Sequence, residues 1–344
     1  MDRSTVSRVA AAISTSSSSG GGARVTCCAT PFGYTIPMQS VASLIANIEK
    51  VIVGKRSVVE LAVVSLLCRG HVLLEDVPGT GKTMLARALA RSVAADMKRI
   101  QCTPDLLPSD ITGVAIYNQK SAEFEFRAGP VFTSLLLADE INRATPRAQS
   151  ALLECMEEFH VTSDGVTRDL PRLFMVLATQ NPIDMAGTHP LPEAQLDRFF
   201  VRLSVGYPSL SEEMKILSAQ AQSHPIDALG PVMTEAEVLA ARDGVKAMHI
   251  APEVMEYVVR IAAATRQHAD LRLGASPRGT LALARGAQGL AYLRGRSFVT
   301  PDLVKAMAGP VLEHRLVLRP QAAALGRSAR DILRDILDQL PPPI

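Results

Sequence analysis

Residues 72 to 83 read VLLEDVPGTGKT, and the rest of the chain is placed relative to them. The apolar run His71-Val72-Leu73-Leu74 predicts a buried strand, and MLARALARSVAADM, from Met84 onward, has helical periodicity with no breaker. Between them lies Pro78-Gly79-Thr80-Gly81-Lys82-Thr83. Strand, glycine turn and helix is the context in which a backbone wraps an anion. Glycines let successive N–H groups point inward, and the helix N-terminus adds its unpaired N–H groups and its dipole. In such a loop Lys82 reaches the β- and γ-phosphates of a nucleotide and the Thr83 hydroxyl ligates Mg²⁺, with Pro78 to Met84 forming the cradle. The plain alternative is a junction that happens to hold a lysine.

One position departs from the usual GxxxxGK[ST] spacing, because Asp76 stands where the first glycine belongs. A carboxylate beside phosphates is unfavourable unless it points away.

At 344 residues the chain exceeds one typical domain, and one large and one smaller domain are expected. Aromatic residues make up 4% and Trp is absent, which argues against stacking platforms for single-stranded nucleic acid. A net charge of +2 gives little reason to expect nucleic acid or an acidic membrane as partner. Cys27, Cys28, Cys68, Cys102 and Cys155 lack metal-ligand spacing and suit a reducing compartment. No apolar run approaches the ~20 residues needed to span a bilayer.

Residues 1–36 differ from the remainder. They are rich in Ser, Ala and Gly, hold Arg3, Arg8 and Arg24, and carry a single acidic residue. Such a stretch buries too little apolar surface to offset its ordering entropy and is expected to be a disordered arm, with a composition that an organelle transit peptide also has. The chain therefore reads as cytoplasmic, or as a plastid or other organelle protein if the arm is a targeting segment. From Pro37 the pattern is helical up to Gly70. Met97 to Cys102 predicts a second strand, Val114 to Phe132 an inserted hairpin or loop-rich excursion, and FHVTSDGVTRDL a hairpin turning at Asp164-Gly165. After Pro208 the segments 211–222, 234–247, 252–268, 277–294, 300–314 and 323–339 read as helices.

Leu135 to Glu140, LLLADE, is a buried strand ending in two carboxylates. Asp139 suits a Mg²⁺ ligand and Glu140 a water-activating base, although an acidic strand end before the 144–159 helix would look the same. The strand Leu173 to Thr179 leads to Asn181, placed either to orient a water or to turn the chain before Pro182.

Five longer stretches, LLLADEINRATPRAQSALLECMEE, ATQNPIDMAGTHPLPEAQLDRFF, TPDLLPSDITG, GASPRGTLAL and LEHRLVLRP, resemble the MoxR family of AAA+ ATPases over about residues 38 to 340. The resemblance implies an α/β P-loop domain with a parallel central sheet over 37–208 and an all-α lid over 209–344. It also implies roles. Lys82 and Thr83 match Walker A, Asp139 and Glu140 Walker B, and Asn181 sensor 1. Arg198 resembles the arginine finger that reaches a neighbouring subunit's nucleotide, and Arg278 resembles sensor 2, reporting the γ-phosphate from the lid. Val53 and Gly54 resemble the segment lining the adenine pocket. ATP and Mg²⁺ are the implied cofactors. A homo-oligomeric ring, six-membered in the family, is the implied assembly, hydrolysing ATP for chaperone-like remodelling, activation or metal-cofactor maturation of client proteins, with a von Willebrand factor A domain partner. Alternatives are a magnesium-chelatase or helicase motor subunit, or a nucleotide-dependent scaffold that does not turn over.

Overall fold

Alternating burial is what makes the central sheet a sheet: in three neighbouring strands, odd-numbered and even-numbered side chains enter two different cores. Val72 and Leu74, Leu135 and Leu137, and Met175 and Leu177 face one, while Leu73, Leu136, Val176 and Ala178 face the other. A strand buried on both faces must be covered by helices on both, which is the reason for a parallel sheet with crossovers.

The computed structural model describes residues 38–181, 187–220 and 224–343. The expected arm over 1–36 and its two cysteines lie outside the described residues. Helices α1 (Met38–Glu49) and α2 (Arg56–Leu67) precede strand β1 (Val72–Glu75), which is followed by α3 (Lys82–Ser92), β2 (Met97–Gln101) and the short α4 (Pro108–Thr112). A hairpin of β3 (Gly113–Asn118) and β4 (Glu123–Ala128) comes next, then β5 (Leu135–Asp139) and α5 (Pro146–Glu158). A second hairpin, β6 (His160–Ser163) and β7 (Val166–Asp169), precedes β8 (Met175–Gln180), α6 (Glu193–Leu196) and β9 (Val201–Leu203). The five strands β2-β5-β8-β1-β9, in that spatial order, are parallel throughout.

The remainder is helical: α7 (Leu210–Gln220), α8 (Glu235–Lys246), α9 (Pro252–Gln267), α10 (Pro277–Leu293), α11 (Pro301–Leu312), α12 (Pro320–Ala324) and α13 (Ala329–Gln339). The pairing of β10 (Leu271–Leu273) with β11 (Val317–Leu318) closes it on itself. The core that α1, α2 and α3 form on one sheet face continues without a break into these helices through residues such as Val238, Tyr257, Leu283 and Met307. Arg242 on α8 is buried, donating to the carbonyls of Leu66 at the end of α2 and of Arg172 before β8. The two parts thus share buried polar as well as apolar contacts.

Two boundaries differ from the periodicity. The helix after the glycine loop ends at Ser92, because Ala94 takes a left-handed φ of 49° and the chain turns into β2. The helix expected over 323–339 is two, broken at Gly326 with φ 76° and restarted by the Ser328 capping box. The Asp164-Gly165 hairpin turn is as expected, both residues having positive φ, which is type I′ chemistry.

Candidate nucleotide site and the opposite sheet edge

Because the sheet is parallel, its carboxyl edge gathers the ends of β1, β5 and β8, and with them the glycine loop, Asp139 and Glu140, and Asn181. Gly81, at φ 91°, is the left-handed N-cap from which α3 starts at Lys82, so Lys82, Thr83 and Met84 occupy its first turn. Lys82 Nζ donates to the carbonyl oxygens of Asp76 (2.6 Å) and Val77 (2.9 Å), folding back along the loop. Partial burial lowers the Lys82 pKa, opposed by the charges of Asp76, Asp139 and Glu140.

Asp76 resolves its own anomaly by pointing away. Its carboxylate accepts from the N–H groups of Val77 (2.9 Å) and Gly206 (2.5 Å) and from the Ser204 hydroxyl (3.3 Å), so it fastens the loop to the segment after β9. On the far side Gly54, exposed and at φ 75°, lies against Glu212 of α7, and Lys55 donates to the Tyr207 carbonyl at 2.8 Å. The Val53-Gly54 turn therefore meets the chain where the helical part begins.

Thr179, on β8, ties the two carboxylates together. Its hydroxyl donates to Asp139 Oδ1 (2.8 Å) while its oxygen accepts from the Glu140 N–H (2.8 Å). Glu140 sits at φ 56°, a left-handed conformation that a non-glycine residue adopts at a cost, and one common at functional sites. Its Oε2 accepts from Gln101 (3.1 Å) and from Arg143 (3.0 Å), and Arg99 binds Asp139 Oδ2 at 2.7 Å. The Asn181 carbonyl accepts from the Asn142 side chain at 3.3 Å. Thr83 and Asp139 offer hard oxygen donors, which fits Mg²⁺ completing its shell with phosphate oxygens and water. Among the described residues no three His, Cys, Asp or Glu side chains form a metal-binding group of their own.

The two arginines are elsewhere. Arg198 precedes β9, whose Val201 pairs with Val72 at the start of β1, and the Phe200 N–H donates to the His71 carbonyl. That is the amino edge, one strand length (about 13 Å for four residues) from the glycine loop. Glu157, near the end of α5, is at the same edge, since the neighbouring Met156 carbonyl contacts His71 at 2.9 Å. Arg198 pairs with Glu157 at 3.2 Å, and Arg278, from the first turn of α10, pairs with the same carboxylate. Arg278, expected to report on phosphate from the lid, is thus beside Arg198 and away from its own glycine loop.

This geometry has relatives. Residues 71–201 match the ATPase family associated with various cellular activities (AAA), and residues 263–336 match the AAA lid domain. The chain is 40% identical over 314 residues to Chaperone MoxR1 of Mycobacterium tuberculosis, covering 89% of this chain and 83% of that one. The chain belongs to the MoxR family of AAA+ ATPases. The uncharacterized protein YeaC of Bacillus subtilis is 51% identical over 300 residues, 87% of this MoxR-family chain and 94% of YeaC. A crystal structure of a presumed ATPase from Cytophaga hutchinsonii superposes with a TM-score of 0.82 at 36% identity, covering 89% of this chain and 96% of that one. The MoxR resemblance and the α/β domain with a helical lid are therefore both borne out.

Sequence reasoning missed Thr179, Arg99, Gln101 and Glu157. Thr179 carried a signal, as the polar end of a strand flanked by two chemical landmarks. Glu157 carried none, because its partners are 41 and 121 residues away along the chain.

Proposed function

We propose that this MoxR-family chain binds and hydrolyses ATP as a closed ring of like subunits, six on the family pattern, and uses the cycle to remodel or activate client proteins. The observation that carries the reading is the placement of Arg198 on the sheet edge opposite its own glycine loop. An arginine there serves a phosphoryl group only if a neighbouring subunit presents one, so the site is completed between copies.

Within the site, Lys82 and the loop N–H groups bind the β- and γ-phosphates, and the Val53-Gly54 turn flanks the base. Thr83 and Asp139 would hold Mg²⁺, whose charge offsets that of the phosphate oxygens. Glu140, released from Arg143 and Gln101, accepts a proton from the attacking water, and Asn181 orients that water. Arg198 of one subunit, with Arg278 beside it, meets the charge developing at the γ-phosphate of the next. On this reading sensor 2 also acts in trans.

The exposed pair Tyr117 and Phe124, ring centroids 5.3 Å apart on the β3–β4 hairpin, supports a client-contacting role for that insertion. The printed name of the mycobacterial relative supports a chaperone-like role. A von Willebrand factor A domain partner and a cytoplasmic location belong to the same proposal. No helix among the described residues is long and apolar enough to cross a membrane.

Mixing decides the central point. Glu140→Gln subunits keep the finger edge and lose the working nucleotide site, and Arg198→Ala subunits keep the nucleotide site and lose the finger edge, so that neither ring turns over well alone. Mixtures are expected to hydrolyse ATP faster than either alone, and no gain in verified mixed assemblies would remove action in trans. Sustained multiple turnover separates an ATPase from a nucleotide-dependent scaffold. A client is sought by co-purification with the Glu140→Gln ring, and Tyr117→Ala checks the hairpin.

A further inference from the structure

Asp197, the residue before Arg198, is a junction between the sheet domain and the lid. One carboxylate oxygen accepts from Arg315 Nε at 2.7 Å and the other from the Ser276 hydroxyl at 2.8 Å. Arg315 is almost wholly enclosed, its side chain 2% exposed. Its remaining N–H groups donate to the carbonyls of Asp197 (3.1 Å), Phe199 (2.5 Å) and Phe200 (3.2 Å), and to that of Val311 in α11. A guanidinium fork spread over the backbone of 197, 199 and 200 fixes the path of the chain on both sides of Arg198.

The same cluster fixes Arg278. Ser276 is the N-cap of α10, its oxygen accepting from the Gly279 N–H at 3.1 Å, and Arg278 is two residues further on. Gly279 lets the two pack closely: a Cβ there would stand 3.0 Å from Arg315 Cδ, so the arginine stem would have to give by a few tenths of an ångström. Ser276 and Gly279 of the SPRG run and Arg315 of the LEHR run thus meet at one carboxylate.

We infer that Arg315 and Asp197 are positioning residues for the trans-acting arginines: they bind Arg198 and Arg278 into one rigid body, so that lid and finger edge move together. The inference rests on the reading that Arg198 acts across the subunit boundary. Neither residue touches nucleotide. Their effect is on the geometry of two guanidinium groups, where a displacement of about 1 Å costs up to roughly 100-fold in rate.

The test uses the full chain with Asp197→Asn and Arg315→Lys, alongside Arg198→Ala. Each positioning variant is expected to lose roughly 10- to 100-fold in kcat, while KM for ATP and the Kd of a fluorescent ATP analogue stay within about twofold. Adding Glu140→Gln subunits should then restore turnover, because they supply an intact finger edge to the variant's own working site. A general packing defect would not respond, since the damaged subunit would still have to perform the hydrolysis. Should a single variant fail to fold, the double variant Asp197→Leu/Arg315→Met replaces the buried ion pair by packing and is expected to show the same rescue. Unaltered kcat, or no rescue where Arg198→Ala is rescued, overturns the inference and leaves the trans reading standing. If Arg198→Ala is itself not rescued in verified mixed rings, both fall.

Discussion

Asp76 shows what a single residue can settle. Its carboxylate is buried and takes two backbone N–H groups and a hydroxyl, and removing it leaves the Gly206 and Val77 donors without that acceptor. The Val77 and Gly206 donors are only partly buried and water can reach them, so Asp76→Ala is expected to lower stability by about 1 kcal/mol in urea unfolding. ATP binding should weaken as well, because the loop loses its tie to the segment after β9. The presence of the loop was legible from Gly79, Gly81 and Lys82, whose spacing is local. The direction of Asp76 was not, because its partners Ser204 and Gly206 come about 130 residues later.

At the scale of elements, His71 joins β1 to β8 and to α5. Its Nδ1 accepts from the Val176 N–H at 2.9 Å, which leaves Nε2 to donate to the Met156 carbonyl. Burial lowers its pKa from 6.5 to about 4. The unfolded chain therefore takes up the proton first: stability is full above pH 6.5, falls as the pH drops towards 4 and levels off below. At pH 5 the loss is about 2 kcal/mol relative to neutral pH. His314, also buried, is shifted the same way and adds to it. Urea unfolding at pH 7.5 and pH 5 measures the sum, and His71→Gln should flatten the slope. Strands and helices of this kind are readable because apolar periodicity is a local property, as the β6–β7 turn and most helix limits illustrate. The breaks at Ala94 and Gly326 were not readable, since an alanine carries no turn signal and a lone glycine is tolerated within a helix.

For the whole molecule, the proposed sharing of a site between copies would make hydrolysis depend on assembly. Turnover per subunit is expected to rise with protein concentration and to collapse on dilution, in step with the ring-to-monomer ratio seen by analytical ultracentrifugation. Retained turnover in verified monomers would contradict the arrangement. The group at the carboxyl edge, the glycine loop with Asp139, Glu140 and Asn181, was legible from three strand ends in sequence. The arginine cluster at the amino edge depends on where Glu157, Asp197 and Arg315 lie in space, and the Asp197–Arg315 pair alone spans 118 residues of chain.

Glu157 has one more consequence. Within one subunit this carboxylate engages both arginines and offsets one of their two charges, so the edge is held as an ion triad that stays net positive. In the proposed ring, docking would exchange one anion for another, the carboxylate for a neighbour's phosphoryl group. Glu157→Gln removes the resident anion. That variant is expected to assemble at lower protein concentration when ATP is bound and to gain nothing without it, which analytical ultracentrifugation with and without ATP measures.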